Sequence, residues 1–275
     1  MSPRWARQDG FGIRLDWGPT GAAVIGAGAA CVVVVDVLSF STTVSVAVSA
    51  GTAVYPYRWR DDSAQVFAAR HGAELAVGRR AVDATHPWSL SPAAIRRAPF
   101  AERLVLPSPN GSTIASAVVG PPVVAACLRN ADAVATWITE RRWGTPQQPI
   151  AIVPAGERWP DDATLRPAVE DLLGAGALAA ALIDRGCGRP SPEARSAAHA
   201  FLSVTNIGTE LDECASGREL RSGGFADDVD IAAQINADTV VPVLADGAFT
   251  DHSREPPSPA TGRRGAAAAD PPPRI

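Results

Sequence analysis

The sequence predicts an α/β fold: a largely parallel sheet with helices on both faces, plus a C-terminal helical region that returns a late strand. Three observations predict it. Short apolar runs alternate with longer helical patterns along the chain. The strongest run, Cys31-Val-Val-Val-Val-Asp36, is β-branched and too apolar for one-sided burial. Capping residues stand where crossover helices should begin, and parallel strands need such crossovers.

Residues 31–36 are the first strong strand. Residues 42–50, rich in Thr, Ser and Val, read as a helix that stops before Gly51. Residues 54–57 are a strand, and 61–71 a helix opened by Asp61-Asp62-Ser63. Residues 75–77 are a short strand. An irregular stretch, 78–92, holds Pro87 and Pro92 and leads to a short helix over 92–97. Residues 104–106 are a strand, and Asn110-Gly111-Ser112 opens a helix through Val119. A strand over 123–126 and a helix over 130–142 follow. Residues 150–153 are a strand, then comes a loop, then a long Ala/Leu helix over 165–183. The chain to about 236 is mostly helical, with starts at Ser191-Pro192-Glu193 and Phe225-Ala226-Asp227-Asp228. The role of residues 185–225 is open: lid, interface or plain helical layer. Residues 240–244 are the last strand.

Residues 1–250 read as one domain. Trp5 and Trp17 suggest that the first twenty or so residues pack on it. Residues 251–275 are Pro-rich, hold one large apolar residue, Ile275, and read as a disordered tail. With 25 basic and 29 acidic residues there is no basic field, so a nucleic-acid role is disfavoured. Every basic residue is Arg, which removes Schiff-base chemistry and a Walker-type phosphate loop. The Cys residues at 31, 127, 187 and 214 lack zinc spacing and are too sparse for a disulfide framework; Cys31 and Cys127 read as core. No secretory pattern or membrane-length apolar run is visible, so no membrane partner and a cytoplasmic location are expected.

Ligands of open α/β sheets bind beyond the carboxyl ends of strands, which directs attention to three loops. After the first strand, Asp36 could meet a hard cation, and Ser41, Thr42 and Thr43 could hold an anion at a helix start. Plain capping competes evenly with that reading. After the strand at 104–106, Asn110, Gly111 and Ser112 offer a close backbone approach and a hydroxyl, with an ordinary Asn-Gly turn slightly favoured. Glu170 and Asp171 open or enter the long helix; an exposed acidic first turn has half the weight. Gly26-Ala-Gly28 precedes its strand, so it is no dinucleotide fingerprint. Gly174-Ala-Gly176 reads as close helix packing. His86 is the one His worth testing, whereas His199 reads as structural.

Taken together, these segments resemble the 2-phosphosulfolactate phosphatase family, magnesium-dependent enzymes of coenzyme M biosynthesis. The pieces run from about Val32 to Val243 in family order. Asp36-Val-Leu resembles the start of a D-V-L-R-A-T-T signature, with Thr42 and Thr43 retained once the spacing slips. Leu90-Ser91-Pro92 resembles N-S-P, and Ser108-Pro-Asn110-Gly111-Ser112 resembles T-T-N-G-T. Asn130-Ala131 resembles a further short motif. Ala155-Gly156, Glu170-Asp171 and Ala175-Gly176 resemble an A-G, E-D, A-G block. Three positions depart. Ser39 stands where the signature has Arg, Arg79 stands where G-G-E-R has Glu, and Leu90 stands where N-S-P has Asn.

The resemblance implies Mg²⁺ near Asp36, Glu170 and Asp171, which are then the catalytic and metal residues. It implies phosphate or substrate contacts from Ser41, Thr42, Thr43, Arg79, Arg80, Asn110, Gly111 and Ser112. The partner it implies is a small-molecule phosphoester, with a homo-oligomer left open. The reaction it implies is hydrolysis of 2-phosphosulfolactate to sulfolactate and phosphate, with an activated water as nucleophile. The alternatives are a phosphatase for another small metabolite and a non-catalytic binder of a phosphorylated metabolite. An NAD-type oxidoreductase ranks last, because the glycine fingerprint is absent.

Overall fold

A computed structural model describes residues 3–59 and 61–256. The chain begins with β1 (Ile13–Leu15) and α1 (Gly18–Ile25), neither of which stands out in the sequence. Next come β2 (Cys31–Val35), α2 (Phe40–Ser49), β3 (Ala53–Tyr57), α3 (Asp62–His71) and β4 (Glu74–Leu75). A single 3₁₀ turn, Arg79–Ala81, lies in the irregular stretch. Then follow α4 (Pro92–Arg97), β5 (Arg103–Pro107), α5 (Gly111–Ala117), β6 (Val123–Ala126), α6 (Ala131–Glu140) and β7 (Ile150–Pro154). A small hairpin, β8 (Glu157–Arg158) and β9 (Leu165–Arg166), precedes α7 (Val169–Asp184). Four helices, α8 (Pro192–Leu202), α9 (Ile207–Glu213), α10 (Ala215–Ser222) and α11 (Ala226–Ala232), lead to β10 (Pro242–Ala245) and β11 (Ala248–Asp251).

Two expectations need correction. The long helix begins at Val169, not at 165, because Leu165 and Arg166 pair with Arg158 and Glu157 in the hairpin. Pro167 explains this: the residue before a proline is pushed out of the helical region. The last strand is also not single. β10 turns back through Gly247, at φ +86°, into the antiparallel β11.

The sheet order is β1-β7-β2-β6-β10-β11-β3-β5-β4. Its two wings are parallel within themselves: β1, β7, β2 and β6 on one side, β3, β5 and β4 on the other. The β10–β11 hairpin joins them through antiparallel pairings on both flanks. Three reversals set the wings running in opposite senses, so a flat sheet would put the ends of β2 and β5 on opposite edges. Twist offsets this. At about −20 to −25° per neighbour, five steps turn β5 by roughly 100–125° relative to β2. The sheet wraps around α2, which touches β3, β6, β10 and β11. Residues 40–48 of α2 are all buried, as befits a helix enclosed on every side.

Alternate valines of β2 feed two cores. Cys31, Val33 and Val35 face Val134 and Ile138 of α6 and Leu178 and Leu182 of α7. Val32 and Val34 face Ile25 of α1, Val44 of α2 and Ile114 of α5. Close helix approach is built in at Gly176, where a Cβ would stand 2.1 Å from the Ala197 carbonyl of α8. The C-terminal stretch stays attached beyond β11: the His252 N–H donates to the Val241 carbonyl. The rest of the expected tail, 257–275, lies outside the described residues. Among the described residues no helix is long and apolar enough to cross a membrane.

Candidate active site

The ends of β2, β5 and β7 converge on one corner, and two carboxylates stitch it together. Asp36 follows β2. Its Oδ1 accepts the Phe40 N–H at 3.0 Å and its Oδ2 accepts the Gly111 N–H at 3.0 Å. Asp36 therefore sits on the N-termini of α2 and α5 at once, where the partial positive charge of free N–H groups is concentrated. Only glycine allows this approach at 111. A Cβ there would lie 2.2 Å from the Phe40 ring and 2.9 Å from Asp36 Oδ2. Asp171, in the first turn of α7, does the same for the other loops. Its Oδ1 accepts the Val37 N–H at 2.7 Å and its Oδ2 the Gly156 N–H at 2.8 Å.

Glu170 and Asp171 are 2% and 3% exposed, which excludes the exposed acidic first turn. Burial and the charges of Asp36 and Glu170 push Asp171 well above the usual carboxylate range, against the Val37 N–H. Burial likewise drives Asp36 up to about 6; its two backbone N–H partners oppose the rise, Glu170 adds to it and Arg79 resists it. Glu170 lies beside Cys214, whose thiol is pushed up to about 12 by burial and by the Glu170 charge. A fourth carboxylate, Glu157 of β8, accepts from Asn110 Nδ2 at 2.9 Å. Burial, then the charge of Asp36, lifts Glu157 to about 7. Four mutually repelling carboxylates thus share one corner.

A cavity of 210 Å³ opens onto this corner, with Asp36, Ser39, Arg79, Asn110 and Glu157 in its walls. Arg79 comes from the 3₁₀ turn. Its Nε donates to Asp228 Oδ2 at 3.1 Å, and its Nη2 donates to Ser39 Oγ at 2.7 Å and to the Leu90 carbonyl at 3.2 Å. The three motif departures, Ser39, Arg79 and Leu90, therefore meet at one guanidinium. A guanidinium has five N–H donors. The two on Nη1 have no protein acceptor among the described residues. Asp228, in α11, is itself buried and also accepts from Ser91 Oγ and the Ala93 N–H.

The structure does not bring all the expected residues to the cavity. Ser41 Oγ donates to the Val34 carbonyl, Thr42 Oγ1 to Val37 and Thr43 Oγ1 to Leu90. Ser112 Oγ donates to the Leu106 carbonyl. These hydroxyls hold loops to strands. Arg80 is exposed and faces a neighbouring cleft. His86 is exposed and bonds to Asp83 and Thr85, away from the corner. Sequence reasoning missed Glu157, Asp228 and Glu219. Glu157 had a signal, since it directly follows Ala155-Gly156 at a strand end. Asp228 looked like a helix-start residue. Glu219 and Leu220 of α10 wall the cavity, which assigns the open 185–225 region part of that role.

The donors suit a hard cation in kind, being carboxylate oxygens with a surplus of negative charge. Among the described residues, no three His, Cys, Asp or Glu side chains stand together so as to hold an ion by themselves. Mg²⁺ does not require such a cage, because one or two carboxylates, waters and substrate phosphate commonly complete its shell. Asp36 and Glu157 line the cavity and Asp171 does not, although each oxygen of both aspartates accepts one backbone N–H.

Fold and corner together define an α/β protein with a small acidic cavity at strand carboxyl ends. The family model of 2-phosphosulpholactate phosphatase matches residues 24–247 of the 275, and the chain belongs to that family. The family's name is that of a phosphatase, a hydrolase of phosphoric monoesters acting on a small molecule.

Proposed function

We propose that this protein hydrolyses a small phosphoester with Mg²⁺ as cofactor. The observation that carries the reading is the carboxylate surplus at the cavity: Asp36 and Glu157 in its wall, Glu170 and Asp171 behind them. Such a surplus, with Asp36, Glu157 and Asp171 held above the usual carboxylate range by burial and neighbouring charge, is met by a cation. Asp36 and Glu157 would hold Mg²⁺, and Glu170 adds negative charge behind them. The bound ion would supply Lewis-acid polarisation of the phosphoryl group.

The chain's own groups do the rest. Arg79 offers the two Nη1–H donors to phosphoryl or carboxylate oxygens, and its fork is held by Asp228, Ser39 and Leu90 before substrate arrives. Asp171 fixes the loops that carry Asp36 and Glu157. Water attacks phosphorus, the ester P–O bond breaks, and the leaving oxygen is protonated from water to give an alcohol and inorganic phosphate.

Phosphate release from a panel of phosphomonoesters, with Mg²⁺ and with a chelator, tests this. Release that stops on chelation is the expected result. No release from any compound by folded protein overturns it and favours a binder of phosphorylated metabolites.

A further inference from the structure

Among the described residues, three serines line the cavity beside Asp36: Ser39, Ser108 and Ser216. Two have their hydroxyls engaged. Ser39 Oγ accepts from Arg79 Nη2 at 2.7 Å, and Ser216 Oγ accepts from Arg166 Nη2 at 3.4 Å. Around the same corner, the hydroxyls of Ser41, Thr42, Thr43 and Ser112 all donate to backbone carbonyls. Ser108 differs from every one of them. It is 1% exposed, and its Oγ has no hydrogen-bond partner among the described residues. A buried hydroxyl without a partner is costly, and most are paired. The one sealed side-chain nitrogen or oxygen without a partner among the described residues is Trp137 Nε1. Ser108 Oγ is therefore not sealed. The little surface that Ser108 keeps includes this oxygen and opens on the cavity.

The backbone fixes this hydroxyl before any ligand arrives. Ser108 follows β5, and its N–H donates to the Tyr57 carbonyl of β3 at 2.9 Å. Pro107 and Pro109 flank it. A proline fixes its own φ and keeps the residue before it extended, so this segment has little freedom to lose on binding. The next two residues already serve the corner: Asn110 Nδ2 donates to Glu157, and the Gly111 N–H donates to Asp36 Oδ2. Neither carboxylate takes the Ser108 hydroxyl. With both carboxylates committed to a cation, the acceptor left for that O–H is an oxygen of the substrate.

Building on the phosphatase reading, we propose that Ser108 is a substrate-contact residue whose hydroxyl donates to an oxygen of the phosphoryl group held in the cavity. It adds a donor without a charge beside the Nη1 donors of Arg79.

Inorganic phosphate, the product common to every phosphomonoester, is the probe. With Mg²⁺ present, Ser108→Ala should raise the phosphate inhibition constant by about fivefold or more. It should lower kcat/KM for the best substrate of the wild-type protein by about tenfold or more, as one hydrogen bond to a charged group implies. Its unfolding midpoint in chelator should hold or rise, because no protein partner is lost. Ser108→Thr keeps the hydroxyl and should stay within about threefold of wild type on both constants. Unchanged phosphate affinity in Ser108→Ala overturns the inference and leaves the phosphatase reading standing. So does Ser108→Thr being as impaired as Ser108→Ala. A lowered midpoint with an unchanged inhibition constant would make Ser108 a structural residue and overturn it too. No phosphate released from any ester by the wild-type protein overturns the phosphatase reading itself. The dissociation constants of inorganic phosphate for wild type and Ser108→Ala then decide the role of Ser108 on their own.

Discussion

Around Arg129 every buried charge has its counterpart, whereas around Asp36 the carboxylates outnumber the cations. Arg129 is 2% exposed and grips Asp238 with two bonds, Nε to Oδ2 at 2.8 Å and Nη2 to Oδ1 at 2.7 Å. Its Nη1 donates to the Ile231 carbonyl and to Gln234, and Asp238 accepts from Ser45 of α2 as well. This cluster ties α2 and α6's leading loop to the end of the helical region and asks for no ligand. The acidic corner is satisfied in its backbone hydrogen bonds and unsatisfied in its charge. One cluster is a fastening, and the other is a socket.

The largest effect that separates them is on stability. Arg129→Leu leaves Asp238 buried without its cation and should cost about 3–5 kcal/mol in denaturant unfolding. Asp36→Asn removes one charge from a crowded corner but leaves one of the two backbone N–H groups, of Phe40 or Gly111, without its acceptor. The two changes offset, so its unfolding midpoint in chelator should fall far less than that of Arg129→Leu, while Mg²⁺-dependent phosphate release should drop about a hundredfold, or about 2.7 kcal/mol. A fall in stability at Asp36 as large as that at Arg129 would make both clusters fastenings and erase the contrast. Arg79→Gln lies between the two. It strands Asp228 and empties the donor fork, so it should cost about 1–3 kcal/mol of stability and also raise KM.

Much of this contrast was legible in the sequence, for reasons that differ from residue to residue. Asp36 was visible because a carboxylate directly after four valines is costly to bury without a purpose. Glu170 and Asp171 were visible as a pair, but periodicity could not say whether the first turn of α7 was buried. The hydroxyls of Ser41, Thr42 and Thr43 misled, since a helix start offers the same residues for capping, loop tethering and anion binding. Here they tether loops. Asp228 and Arg79 are 149 residues apart, and nothing local in either segment reveals their pairing. The central β10–β11 hairpin was half seen, because β11 is short and Phe249 reads as readily as a helical residue. Yet that hairpin reverses the second wing and forces the curl that brings Gly111 to Asp36.

The smallest effect is the one that reads the socket's charge directly. Asp36 and Glu157 hold their protons more tightly in the folded chain, with values near 6 and 7 against ordinary values of 3.8 and 4.5. The folded state therefore gains from both groups at low pH. That gain is lost as pH rises, through about 6 for Asp36 and about 7 for Glu157. In chelator, the protein should be more stable at pH 5 than at pH 8, by on the order of 2 kcal/mol in thermal or urea unfolding. Glu157→Gln removes one of the titrating groups and should flatten that slope by about half. Mg²⁺ should recover stability at pH 8 and do little at pH 5, where the carboxyls are protonated and a cation must displace their protons. The Arg129 cluster sets the control. Asp238 is matched by its guanidinium, so Arg129→Leu should lower stability at both pH values, more at pH 8 where the stranded carboxylate is charged, and leave the response to Mg²⁺ in place. A pH slope that survives Glu157→Gln and Asp36→Asn together would assign the remaining titration to Asp171, which burial holds well above the usual carboxylate range, and one that also survives Asp171→Asn would place it outside the corner.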